Sequence, residues 1–232
     1  TMYGSDALGG VIHFYTKNPK LNLKTGNAYV RYSSANSEKT GHLDYNLGFG
    51  KIASLTSVTY SDFGDQRIGK SGDFGTFGDF GKNLYNVTRV DNKDVVSTNP
   101  NPYIMVGSGY KQIDVLEKLL FQQNEHVSHM LNLQYSTNIG NLPRYDRMLE
   151  LSYDKTSKSM LPTYAEWNYG PQTRFLGAYT LDINKQNRWF DDAKFIVSYQ
   201  SVDQDRISRK LNKTNRKTQM EDVSIFSANL KK

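Results

Sequence analysis

Gly41-His-Leu-Asp-Tyr-Asn-Leu-Gly-Phe49 is the stretch on which the fold class turns. Leu43, Tyr45, Leu47 and Phe49 occupy every second position, with His42, Asp44, Asn46 and Gly48 between them. Successive side chains of a strand point to opposite faces, so this order makes a ribbon with one apolar and one polar face. Val127-Ser-His-Met-Leu-Asn-Leu-Gln-Tyr135 repeats the pattern, with Val127, His129, Leu131, Leu133 and Tyr135 on one face. Residues 27–33, 175–181, 193–199 and 221–230 read the same way, the last with an open register, and 52–63 reads as a strand with a less decisive division into faces. In 110–122, Ile113, Val115, Leu119 and Phe121 alternate, although Glu117 interrupts their face. Ile113, Leu116 and Leu120 also suit a helix there, and the neighbouring segments tip the reading to a strand. The whole makes eight predicted strands.

The spacers carry a second signal. Residues 48–51 and 122–125 are short, 184–192 is moderate, and 65–108 and 138–172 are long. Brief turns at one end and extended loops at the other are the habit of outer-membrane barrels, whose strands need about 9–11 residues to cross a bilayer. Composition is compatible. Hydrophobic residues are 37% of the 232-residue chain, and no apolar run approaches the roughly 18 residues of a membrane-crossing helix. A helical membrane protein is excluded, whereas alternating barrel strands keep average hydropathy low. The 16 Tyr, 11 Phe and 2 Trp could furnish interfacial girdles. There is no Cys, so disulfides, thiolate metal sites and Cys nucleophiles are ruled out. The net charge of +6 is spread along the chain except in 206–217, a run read as a solvated loop rather than a nucleic-acid surface.

The opening, Thr1-Met-Tyr-Gly-Ser-Asp-Ala-Leu-Gly-Gly-Val-Ile-His-Phe-Tyr-Thr-Lys17, is a small-residue turn leading into a short strand. Tyr3, Gly4, Ser5, Asp6, Ala7, Gly9 and Gly10, with Val11 and Ile12, resemble the end of the plug domain of TonB-dependent outer-membrane receptors. Thr16 and Lys17 match the step into the barrel, while His13 and Tyr15 stand where the family often has Asn and an aliphatic residue. Asn99-Pro-Asn-Pro102, Leu142-Pro-Arg-Tyr-Asp-Arg147 and Ala165-Glu-Trp-Asn-Tyr-Gly-Pro-Gln172 look like less specific stations in the first barrel strands of Bacteroidetes-type members. The resemblance implies an all-β chain: the last strand of a plug over residues 1–17, then over 18–232 about eight strands of a larger, plugged, antiparallel transmembrane β-barrel. It implies a cell outer-membrane location and uptake of a scarce solute, with the TonB-contact region upstream of Thr1. Iron chelates such as a ferric siderophore, or haem, are the favoured solutes, with cobalamin and oligosaccharide open. Outer-membrane lipid and TonB are the implied partners. A soluble β-rich ligand- or glycan-binding module is the alternative.

Several motifs do not carry chemistry. Gly64-Asp-Gln-Arg-Ile-Gly-Lys-Ser71 spells a phosphate loop, but four glycines in 72–81 cannot continue as the helix such a loop needs. Asp73-Phe-Gly75 and Asp79-Phe-Gly81 lack the other parts of a kinase. His126 and His129 point to opposite faces of a strand and cannot share a metal. His13 and His42 read as hydrogen-bonded histidines rather than haem ligands. No catalytic constellation, cofactor site or metal set is expected, so the chain is not read as an enzyme. The one set worth following is Arg144, Tyr145, Arg147, Tyr164, Trp167, Tyr169 and Arg174, in or beside the second long loop. Guanidinium groups pair with carboxylate or phosphate, and Tyr and Trp rings stack on planar ligands. The competing role is to hold the loop together and pack at the membrane interface.

Overall fold

The computed structural model describes residues 15–69, 82–140, 142–143, 145–185 and 192–231. The plug-end residues Tyr3 to Gly10 lie outside the described residues, as do Arg144 and the glycine-rich 72–81. Strands β1 (Lys24–Ser33), β2 (Glu38–Phe49) and β3 (Ile52–Phe63) come first. The loop after β3 carries β4 (Gln66–Arg67), β5 (Tyr85–Val90), β6 (Lys93–Thr98) and β7 (Ile104–Met105). Then come β8 (Tyr110–Gln122) and β9 (Val127–Ile139). A second loop holds β10 (Leu142–Pro143), one helical turn α1 (Tyr145–Met148), β11 (Leu151–Asp154) and β12 (Ser159–Pro162). The long strands β13 (Tyr164–Ile183), β14 (Ala193–Lys210) and β15 (Lys217–Lys231) close the series.

The main sheet runs β1-β2-β3-β8-β9-β13-β14-β15, with β10 added beside β13. Every pairing in it is antiparallel. All eight predicted strands are present, including the ambiguous 110–122 segment, which is a strand. Two predicted loops are more ordered than the sequence reading had them. Residues 65–108 contain the hairpin β5–β6, turned at Asp91 and Asn92, whose positive φ of 46° and 62° matches the twist a two-residue hairpin needs. The predicted loop 138–172 ends early, because β13 already begins at Tyr164. Residues 206–210, expected in a loop, are the end of β14.

Register fixes the two faces. Leu43 lies opposite Val58, Val58 opposite Val115, and Val115 opposite Tyr135, so one face collects apolar side chains across four strands. The row through Phe49, Ile52, Phe121 and His129 continues it at the short-turn end. There His129 Nδ1 lies 2.7 Å from the Tyr179 hydroxyl, and its Nε2 2.9 Å from Gln123 Oε1. His126 sits in the preceding turn, against the carbonyl of Asn184. Glu117 does fall on the apolar face, where Thr56 Oγ1 donates to its carboxylate at 2.6 Å.

Burial is inverted relative to a water-soluble sheet. Leu43, Tyr45, Phe49, Leu119, Phe121, Leu131 and Tyr135 are exposed, while Asp44, Asn46, Ser61 and Lys118 on the other face are buried. Among the described residues the buried polar side chains outnumber the buried apolar ones, which are Ala53, Leu55, Met105, Ala165 and Ile207. That composition cannot make a dry core, so the sheet is not one layer of an oily sandwich. Among the described residues no helix is long and apolar enough to cross a membrane.

Candidate functional site

The polar face holds the incoming chain. Asp44 accepts from Lys17 Nζ at 2.8 Å, and from Asn27 Nδ2 at 3.0 Å. Lys118, two strands away in the sheet, donates to Asn18 Oδ1 at 2.7 Å and to the Thr16 carbonyl at 3.3 Å. Asn46 closes the clamp by accepting from Lys20 N at 2.7 Å and donating to the carbonyls of Lys20 and Leu23. A buried ammonium such as Lys118, 3% exposed, survives only with acceptors arranged around it, which these provide. Gly48 lets the segment pass: a Cβ there would stand 2.2 Å from the Lys20 carbonyl oxygen. His42 stacks on Tyr29, and its ring nitrogens sit 2.7 Å from Thr59 Oγ1 and 3.2 Å from Asp44 Oδ2. Both nitrogens are engaged within the protein, as the hydrogen-bonded reading expects.

The second focus is the far end of β13 and β14. Simple alternation puts Tyr164 and Arg174 on the face opposite Trp167 and Tyr169. Two register shifts, between Tyr164 and Glu166 and between Tyr169 and Gln172, overturn that. Each adds a residue to β13 and flips the side-chain parity beyond it. Tyr164 therefore lies opposite Lys210, Trp167 opposite Ser208, Tyr169 opposite Arg206 and Arg174 opposite Val202. All four β14 partners are even-numbered positions of an unbroken strand, so Tyr164, Trp167, Tyr169 and Arg174 share the polar face. Gly170 allows the second bulge, since a Cβ there would come within 2.8 Å of the Asp205 Cβ. The Gln172 N–H released by the bulge donates to the Asn138 side chain.

The rings and cations interact. Trp167 and Tyr169 meet edge to face with centroids 5.6 Å apart, and the Arg206 guanidinium lies 5.9 Å from the Tyr169 ring. Arg174 sits further down the same face, at a depression of about 370 Å³ with Asp114, Gln134 and Ser136. Arg147 is separate, paired with Glu150 at 3.2 Å at the end of the helical turn that Tyr145 begins. The structure thus places four of the seven predicted residues on one face, of which Trp167 and Tyr169 touch, and leaves Arg147 outside.

On the opposite face of this extension lies an ionic lock that sequence reasoning missed. Arg209, 4% exposed, reaches Asp94 Oδ2 at 2.6 Å and Glu166 Oε1 at 3.0 Å. Its Nη1 also donates to the Lys213 carbonyl at 3.0 Å. Asp94 comes from hairpin β5–β6, and accepts from Arg89 at 3.2 Å and from the Asn212 amide at 2.7 Å. Arg216 completes the group on Glu166 at 2.8 Å. Burial pushes the Asp94 carboxyl upward, but the hydrogen bonds and charge of Arg209, with the Asn212 amide and Arg89, outweigh it and hold its pKa below the usual value. Glu166 is lowered in the same way, burial being overcome by Arg209 and Arg216. The lock joins residues 115 apart in the chain.

Among the described residues no cluster of His, Asp or Glu is placed to hold a metal. No family model, curated protein or solved structure matches the chain.

Proposed function

We propose that this chain is part of a TonB-dependent outer-membrane receptor that takes up a scarce solute, with iron chelates and haem as the favoured classes. One observation carries the reading: the described sheet exposes its apolar face and buries its polar one. In hydrocarbon that arrangement is favourable, because lipid covers the rings and aliphatics while backbone groups pair between strands. Strands β2, β3, β8 and β9, at 12 to 13 residues, suit a tilted bilayer crossing of about 9–11 residues. β13 and β14, at 20 and 18 residues, are long enough to cross and to rise well beyond it. The rising part carries Trp167, Tyr169 and the lock, where an outside vestibule belongs.

On this reading the eight strands are part of the wall of a larger barrel. The polar face lines its lumen, and the clamp on Thr16, Lys17 and Asn18 fixes the end of a plug. Energy coupled through TonB would move the plug while the clamped segment stays on the wall. The chain acts as a carrier and not as an enzyme. Cell fractionation tests the reading: the protein partitions with the outer membrane and needs detergent for extraction. Recovery in a soluble fraction without detergent favours the β-rich binding module instead. Growth of a deletion strain on defined iron, haem, cobalamin and glycan sources then assigns the solute.

A further inference from the structure

At the far end of β13, β14 and β15, on the face shared by Trp167 and Tyr169, the structure forms a hollow of about 400 Å³. Tyr164, Ser208, Lys210, Lys213 and Lys217 are among its lining residues, and Arg209, whose guanidinium is engaged in the lock, borders it too. Ser208 lies opposite both Trp167 and Lys217, and Lys210 lies opposite Tyr164, so these side chains belong to one face. We propose that this hollow binds the anionic groups of a free solute entering from outside, with Lys210, Lys213 and Lys217 as counter-charges and the Tyr164 and Ser208 hydroxyls as hydrogen-bond partners.

Charge accounting supports this. Glu221, on this face, is already held by Arg206 at 3.0 Å; on the other face Asp94 is held by Arg89 and Arg209 and Glu166 by Arg209 and Arg216, and the register sends Asp203, Asp205 and Asp222 to that other face as well. The three lysines therefore face the hollow with no acidic partner among the described residues. Uncompensated ammonium groups around a concave surface concentrate anions. The turn bearing Lys213 is also held in place, since Arg209 bonds the Lys213 carbonyl and Asp94 accepts from the Asn212 amide. Preorganised donors lose less entropy on binding than a free loop would. Trp167 and Tyr169, next on the same face, offer ring surface to a ligand that is planar as well as anionic. The polar face distinguishes a free solute from a lipid headgroup, because the apolar side chains are on the other side of the sheet.

The inference rests on the uptake reading only for the solute's onward path. The test uses the full chain purified in neutral detergent, with citrate and inorganic tripolyphosphate as probes and raffinose as a neutral control, read by titration calorimetry. Binding of the anions but not raffinose is expected, weakening as salt rises. The triple variant K210Q/K213Q/K217Q should lose at least tenfold in affinity, while Lys39→Gln, remote on β2, should not. Undiminished anion binding by the triple variant overturns the proposal, as does equal binding of raffinose. A lysine-dependent response to added lipopolysaccharide alone, with none to the free anions, overturns it in favour of a headgroup. Anion binding by a protein that fractionates as soluble would sink the uptake reading and leave this site standing.

Discussion

Replacing Arg209 with Met should unfasten the β5–β6 hairpin while leaving the main sheet intact. The guanidinium is 4% exposed and the Asp94 side chain 0%, so the variant strands a carboxylate that water cannot easily reach. Breaking a buried pair from one side costs about 3–5 kcal/mol. Asp94 keeps Arg89 and the Asn212 amide, and Glu166 keeps Arg216, which places the expected loss near the lower end, about 3 kcal/mol. At about 1.4 kcal/mol per factor of ten, that raises the opening equilibrium of the hairpin more than a hundredfold. Native-state hydrogen exchange on the amides of Asn86, Thr88, Val95 and Ser97, which sit in the hydrogen-bonded pairs of the hairpin, would report it, with those of Leu131 and Leu133 in the main sheet as internal reference. The triple change Arg209→Met, Asp94→Asn, Glu166→Gln should recover much of the protection, because no carboxylate is left stranded and the released Arg89 and Arg216 side chains reach water. If Arg209→Met leaves hairpin exchange at the parent rate, the lock contributes nothing and the reasoning from burial fails.

Acid should release the same hairpin. Asp94 and Glu166 both have depressed folded-state pKa values, so their contribution is complete above the ordinary values of 3.8 and 4.5 and disappears as pH falls through the lower folded values. Exchange or pepsin cleavage at the hairpin should rise over that acid window, and a flat profile would contradict the assignment. Gly48→Val should dislodge the incoming segment, since even a Cβ would stand 2.2 Å from the Lys20 oxygen and 2.7 Å from the Asn22 nitrogen. A cost of about 1–3 kcal/mol or more follows, visible as faster trypsin cleavage after Lys17 and Lys20. Leu43→Arg separates lipid from water: Leu43 is 55% exposed, and on a solvated surface the change stays within about 0.5 kcal/mol. Facing hydrocarbon it costs up to about 2–4 kcal/mol, measured by urea unfolding in lipid vesicles.

Legibility followed regularity. β2 and β9 were readable because period two holds over most of their length, with Leu43, Tyr45, Leu47 and Phe49 on one face of β2 and Leu131, Leu133 and Tyr135 on one face of β9. β13 was readable only from Phe175 onward, because the bulges beside Gly170 and Ala165 twice reverse which positions share a face. Those same reversals put Tyr164, Trp167, Tyr169 and Arg174 on one face, so residue type pointed to the set while its geometry stayed hidden. The β5–β6 hairpin had a signal in Asp91-Asn92 between two Val-containing runs, but the surrounding loop composition masked it. The Arg209–Asp94 contact had none, since nothing local relates residues so far apart. The contacts of Lys118 with Asn18 and the Thr16 carbonyl had no local signal either, since about a hundred residues separate them.

The order of strands in the main sheet has a further consequence for how such a chain can change over time. Nearly every neighbour in space is the next strand in sequence, and the two detours, after β3 and after β9, leave and rejoin at the same end. Closing a longer detour costs entropy only as the logarithm of its length. Insertions and deletions can therefore accumulate in these two excursions while wall register is preserved, so specificity can diverge quickly on a scaffold that hardly drifts.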